Sequence, residues 1–118
     1  MSTKLASDLR DLLGDKIVVN DPDTLAAHSG DKWFATHSPE VVVFARTTTN
    51  VSKLLEFASR EKVPVTARGA GFGYVGGCVP VRGGITLSLM RMNRIKEINF
   101  TDAVAVVEPG VFTGELKA

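Results

Sequence analysis

The chain has 118 residues, 44% of them hydrophobic, and its 14 Lys and Arg against 13 Asp and Glu leave a formal net charge of +1. That length buries one core and makes a second domain improbable, and charges mixed evenly along the sequence form no basic patch for nucleic acid or an anionic membrane. Apolar runs such as residues 41–45 and 103–107 are strand-sized, far short of the roughly 20 residues a membrane helix requires. A soluble protein is expected. Residues 1–5 carry no long apolar segment before Asp8, Arg10 and Asp11 intervene, and the single cysteine, Cys78, cannot close an internal disulfide, so a cytoplasmic protein is expected.

Leu5, Leu9, Leu12 and Leu13 recur at helical spacing opposite Asp8, Arg10 and Asp11, predicting an amphipathic helix over residues 3–13 stopped by Gly14. Residues 15–19 form a short apolar stretch. Asp21-Pro22-Asp23 then offers an N-cap, a proline at the first helical position and an early carboxylate, predicting a short helix over 21–28. Residues 29–39 have no period and read as an ordered loop in which Trp33 and Phe34 pack rather than stack on a ligand.

Val41-Val42-Val43-Phe44 is a continuous β-branched and aromatic run, as expected of a strand covered on both faces. Val51, Leu54, Leu55 and Ala58 follow at i, i+3, i+4 and i+7, with Thr48 or Thr49 as the cap and Arg60 and Lys62 near the end, which predicts a helix of about three turns. A second strand is expected over 63–67. Residues 40–67 therefore spell a βαβ unit with parallel strands. Beyond it, Ile85-Thr86-Leu87-Ser88-Leu89 alternates at period two, predicting a strand with one face inward, and further short strands are expected over 95–100 and 103–108. The architecture is α+β: N-terminal helices, a βαβ unit, then short meandering strands. Pro109-Gly110 breaks the last strand, and residues 111–118 read as a helix just begun, capped by Thr113.

Between those strands lies Arg68-Gly69-Ala70-Gly71-Phe72-Gly73-Tyr74-Val75-Gly76-Gly77, which holds five of the eleven glycines. Backbone without Cβ atoms can bring successive N–H groups against an anion and form a concave phosphate cradle; the plainer alternative is a glycine-rich surface turn. Position favours the cradle, because the loop starts at the carboxyl end of a parallel strand, where ligands collect in open α/β sheets. A P-loop is excluded, since no Gly-Lys-Ser/Thr follows. Gly71 to Gly76 does match G-x-G-x-x-G, yet Gly77, Pro80, Gly83 and Gly84 prevent the helix which that dinucleotide fingerprint must open.

The stretches Val63 to Gly71, Gly76-Gly77-Cys78-Val79-Pro80 and Gly83 to Ile95, with Pro39 to Val43 and Glu108-Pro109-Gly110-Val111, resemble the N-terminal part of the FAD-binding domain of FAD-linked oxidases. This is the vanillyl-alcohol oxidase type fold, in its glycolate oxidase or D-lactate dehydrogenase-like branch. The resemblance runs from about Leu12 to Leu116. It implies that the loop wraps the pyrophosphate of FAD through Arg68, Gly69, Ala70, Gly71, Phe72, Gly73, Gly76 and Gly77, with Leu89 close to the cofactor. Relatives usually carry Thr-Ser at the place of Phe72 and Gly73, so those hydroxyl contacts are missing; others join flavin to a His near Phe72, which phenylalanine cannot do, so FAD should be non-covalent.

By this resemblance, residues 1–39 form a helical and loop segment packed on the domain, and 40–118 the first lobe of an FAD-binding domain that is incomplete at its C-terminus. The family chemistry is hydride transfer from a 2-hydroxy acid to flavin, with the base and substrate groups outside this chain. No catalytic or metal-ligating residue is assigned. His28 and His37, the only histidines, read as solvated or capping residues. Arg68 either neutralises pyrophosphate charge or forms a structural ion pair with Glu40, Glu108 or another carboxylate. An alternative from another class is a truncated lobe without cofactor or activity, acting as a structural or association module. Weak or absent FAD retention is expected of the isolated chain, and an exposed cleft surface could pair it as a homodimer.

Overall fold

The structure, a computed structural model, describes residues 2–30, 38–69 and 83–110. The first helix, α1, spans Ser2–Leu13 and ends at Gly14, whose positive φ of 96° lets its N–H reach the Arg10 carbonyl at 2.8 Å. Its inward stripe is Leu5, Ala6, Leu9 and Leu13; Leu12, expected inside, is 36% exposed because it lies about 100° round the helix from Leu13. After the two-residue strand β1 (Val18–Val19) comes α2 (Pro22–Ala27), capped as expected by Asp21, whose carboxylate accepts from the Thr24 amide at 2.9 Å.

β2 (Val41–Phe44) leads into α3 (Thr48–Glu61). The cap of α3 is Thr47, one residue before the expected Thr48 or Thr49. Thr47 has the extended backbone (φ −137°, ψ 159°) from which a hydroxyl can accept the Asn50 amide, here at 3.1 Å. Leu54, Phe57 and Ala58 are buried, while Leu55 is 47% exposed. Phe57 and Ala58 stand three and four places after Leu54, on one face, and Leu55 is turned away from it.

β3 (Val65–Arg68) and β4 (Ile85–Ser88) complete a four-stranded sheet in the order β1-β2-β4-β3, with β1 antiparallel to β2 and the other pairs parallel. The βαβ strands are parallel as expected, but they are not neighbours, because β4 is inserted between them. This corrects the reading of β4 as a strand with one inward face: all four of its residues are buried, Thr86 and Ser88 completely. A central parallel strand is covered on both sides whatever its period. Ala6, Leu9, Val41, Val43, Leu54, Phe57, Ala58, Ile85 and Leu87 share one core between the sheet and the helices α1 and α3.

The Gly83-Gly84 pair makes the insertion possible. Both have positive φ, and a Cβ on Gly84 would collide with the Pro64 carbonyl, the group that accepts from the Ile85 amide at 2.9 Å. Gly84 in turn accepts from the Glu40 amide at 2.8 Å, and its own N–H donates to the Glu40 carboxylate at 3.1 Å. Three strands are thus tied at their amino ends.

The strands β5 (Ile95–Asn99) and β6 (Val104–Val107) form a separate antiparallel hairpin with a bulge between Ile95 and Glu97. Among the described residues, no helix is long and apolar enough to cross a membrane.

Candidate functional site

Side chains alternate along a strand, so with Val41, Val43, Ile85 and Leu87 in the core, the intervening positions occupy the other face of the sheet. The register sets them in two rows across the parallel strands: Val42, Thr86 and Thr66, then Phe44, Ser88 and Arg68 at the carboxyl ends. The second row is chemically mixed. The Phe44 and His28 rings meet in a T-shaped contact, 5.4 Å apart at 83°, and the Arg91 guanidinium lies over the Phe44 ring at 4.4 Å. Arg68, half-buried, donates to the Gly30 carbonyl. Ser88 lies between them, and its hydroxyl is buried without a hydrogen-bond partner among the described residues, as is that of Thr86.

Of the predicted site residues, Arg68 is the last residue of β3, Gly69 follows it, and Leu89 follows β4 on the adjacent strand, its amide donating to the Arg68 carbonyl at 2.9 Å. The structure brings these three together. Ala70, Gly71, Phe72, Gly73, Gly76 and Gly77 lie outside the described residues, as do Trp33, Phe34 and His37. Pro109 reaches the same edge: its carbonyl oxygen is 3.6 Å from where a Gly69 Cβ would stand. Gly110 donates to the Met92 carbonyl at 2.7 Å, and a Cβ there would fall 2.8 Å from the Met90 and Met92 oxygens and closer still to that of Leu89. Only glycine fits this approach, which holds the chain after β6 against the turn that follows β4.

Both carboxylates named as possible Arg68 partners are engaged elsewhere, Glu40 with the Gly84 amide and Glu108 with the Arg94 amide at 3.0 Å and its guanidinium at 3.7 Å. His28 is the C-cap of α2, with Nδ1 2.8 Å from the Thr24 carbonyl oxygen. That agrees with its reading as a capping residue. Arg91, Ser88 and Phe44 were not singled out from sequence; their meeting depends on the insertion of β4, which no local pattern announces. A groove of about 400 Å³ between α1 and α3, lined by Asp8, Asp11, Leu12, Phe57, Arg60 and Glu61, contains none of the predicted site residues.

The donor set at this edge suits a phosphate-bearing cofactor: a guanidinium on the last residue of β3, a buried hydroxyl beside it that has no partner among the described residues, and glycine backbone directly after Arg68. Comparison with known proteins gives the same direction. The sequence profile of the FAD binding domain matches residues 39–118. The chain is 39% identical over 75 residues to the glycolate oxidase subunit GlcD of Bacillus subtilis, covering 64% of this chain and 16% of that protein. It is 35% identical over 107 residues to a D-lactate dehydrogenase of Anaerostipes hadrus, covering 91% and 22%. The crystal structure of p-cresol methylhydroxylase superposes with a TM-score of 0.83 at 31% identity, covering 98% of this chain and 23% of that one. The chain spans about a fifth of the length of the curated relatives it matches. With a matching profile over 39–118 and the vanillyl-alcohol oxidase type fold beneath it, this chain belongs to the FAD binding domain family of FAD-linked oxidoreductases.

Proposed function

We propose that the chain is the first lobe of the FAD-binding domain of a flavin-dependent oxidoreductase acting on a 2-hydroxy acid of the glycolate or D-lactate kind. Residues 40–118 are the lobe and residues 1–39 the segment packed on it. The observation that carries this reading is the meeting of Arg68, Gly69 and Leu89 at the carboxyl ends of two adjacent parallel strands, where the glycine-rich sequence begins. The names of the glycolate oxidase and D-lactate dehydrogenase relatives support the substrate class.

In this reading Arg68, Gly69, Ala70, Gly71, Phe72, Gly73, Gly76 and Gly77 surround the pyrophosphate, mostly through backbone N–H groups, and Leu89 lies against the cofactor. Bound FAD would supply the hydride acceptor for oxidation of the hydroxy acid at C2 to a 2-oxo acid, with the hydroxyl proton going to a base. This chain's share is binding and orientation. With phenylalanine at 72 there is no nucleophile for a histidyl link, so FAD is held non-covalently.

A second reading, a lobe inactive by itself, is favoured by the apolar exposure of the β5–β6 hairpin, with Ile98 49% and Val104 52% exposed. On that basis the purified chain carries little flavin and binds added FAD weakly. An absorbance scan tests this, and a near-stoichiometric yellow protein would overturn the expectation of poor retention. Gly71→Val should abolish the remaining affinity by filling the space a phosphate needs. Unchanged FAD binding in that variant would move the site elsewhere.

A further inference from the structure

We propose that Arg91 is a second phosphate-binding cation of this site, preorganised by stacking on Phe44; the proposal rests on the flavin reading above. Three residues beyond β4, Arg91 is exposed, yet its guanidinium lies 4.4 Å from the centroid of the Phe44 ring, the last residue of β2. Phe44 is itself in T-shaped contact with His28. A guanidinium whose carbon lies over an aromatic face is attracted by the ring quadrupole, so the contact fixes the charge while its N–H donors find no acceptor atom in the ring and stay available to an anion. Most of the orientational cost of clamping an anion is then met before the anion arrives.

Charge pairing leaves Arg91 available. Arg60 and Arg94 pair with Glu61 and Glu108, whereas Arg91, like Arg10 and Arg46, makes no ion pair with any described residue. The register places Phe44 and Arg68 on either side of Ser88, about 10 Å apart across two strand spacings, so Arg68 and Arg91 flank one sheet edge. A diphosphate carries charge enough for two such cations. An independent observation marks the ground between them as polar: the Ser88 hydroxyl is fully buried and has no partner among the described residues. The rival account makes Arg91 a cover for the Phe44 ring. It predicts lost stability on substitution and no change in affinity for a phosphate ligand.

The test is a titration of the ¹⁵N-labelled chain with FAD into the low millimolar range, followed by amide shifts, for the natural sequence, Arg91→Gln and Arg91→Lys. Urea unfolding of each is measured in parallel. Arg91→Gln is expected to weaken FAD about tenfold, as for loss of one charge-assisted hydrogen bond, and Arg91→Lys to recover part of that. Affinity unchanged in Arg91→Gln overturns the proposal, whether or not stability falls, provided FAD shifts the amides of the loop after Arg68. Absence of loop shifts in the natural sequence removes the flavin reading, and this proposal with it. A loss in Arg91→Gln that Arg91→Lys does not relieve at all, with stability equally reduced in both, assigns Arg91 to packing and also overturns it.

Discussion

Thr86 and Ser88 are the two buried polar side chains of the described core, and neither hydroxyl has a partner among the described residues. An unpaired hydroxyl in such a place costs about 1–3 kcal/mol in protein mutational data, so Thr86→Val, which exchanges the hydroxyl for a methyl at nearly the same volume, should raise stability by about 1 kcal/mol. A higher urea midpoint at unchanged slope is the expected result. A lower midpoint would mean that the hydroxyl is satisfied by a bound water. Ser88 differs from Thr86 in place more than in chemistry. It lies at the carboxyl edge between Phe44 and Arg68, the end of a parallel sheet at which ligands bind in open α/β folds, whereas Thr86 sits in the middle of the sheet.

Among the elements, α2 is the shortest helix, and its start depends on Asp21. The Thr24 amide, and after it the Thr24 hydroxyl, donate to the Asp21 carboxylate and hold its pKa below the usual carboxylate value. A depressed folded-state pKa stabilises the fold above the unfolded value and ceases to do so as pH falls through the folded one. The cap is therefore intact at neutral pH and fails only in acid, beneath the ordinary carboxylate range. Amide shifts of Thr24 followed during acid titration should report this step. Asp21→Asn should keep the cap and erase its pH dependence. Because α2 delivers His28 against Phe44, loss of the cap should also broaden the His28 ring signals. The central strand depends on its neighbours in a different way: β4 has the register to pair with both β2 and β3 only because Gly84 can approach the Pro64 carbonyl.

Taken as one body, the chain is more extended than its length requires. Its Cα radius of gyration is 15.2 Å, against about 13.5 Å for a compact domain of this size. The hairpin strands are the most exposed of the described strands. Ile95, Ile98, Val104, Val106 and Val107 all remain exposed, and Phe100 at its tip is 90% exposed. Two strands without a covered face are marginal in water. Amides of β5 and β6 should accordingly exchange with solvent much faster than those of β2 and β4, and Phe100→Ser should change global stability by less than about 0.5 kcal/mol. Hydrogen exchange by mass spectrometry and urea unfolding check the two halves of that expectation. Hairpin protection equal to that of β4 would show that the two sheets unfold together.

Local chemistry was enough to place the helices and strands. Asp21-Pro22 announces a cap, Gly14 a stop, and the run from Val41 to Phe44 a strand, because each acts through its own backbone or the nearest turn. The glycine-rich stretch after Arg68 and its flanking motifs were likewise enough to indicate the FAD binding family, which the profile over residues 39–118 bears out. Period alone misplaced what depends on packing. Leu12 and Leu55 face outward, the α3 cap moved to Thr47, and β4 lost its expected polar face, since burial is decided by what lies opposite. Only the tertiary structure set β4 between β2 and β3. That insertion is a matter of register between segments distant in sequence, and it alone brings Phe44, Ser88 and Arg68 into one row with Arg91 over its end.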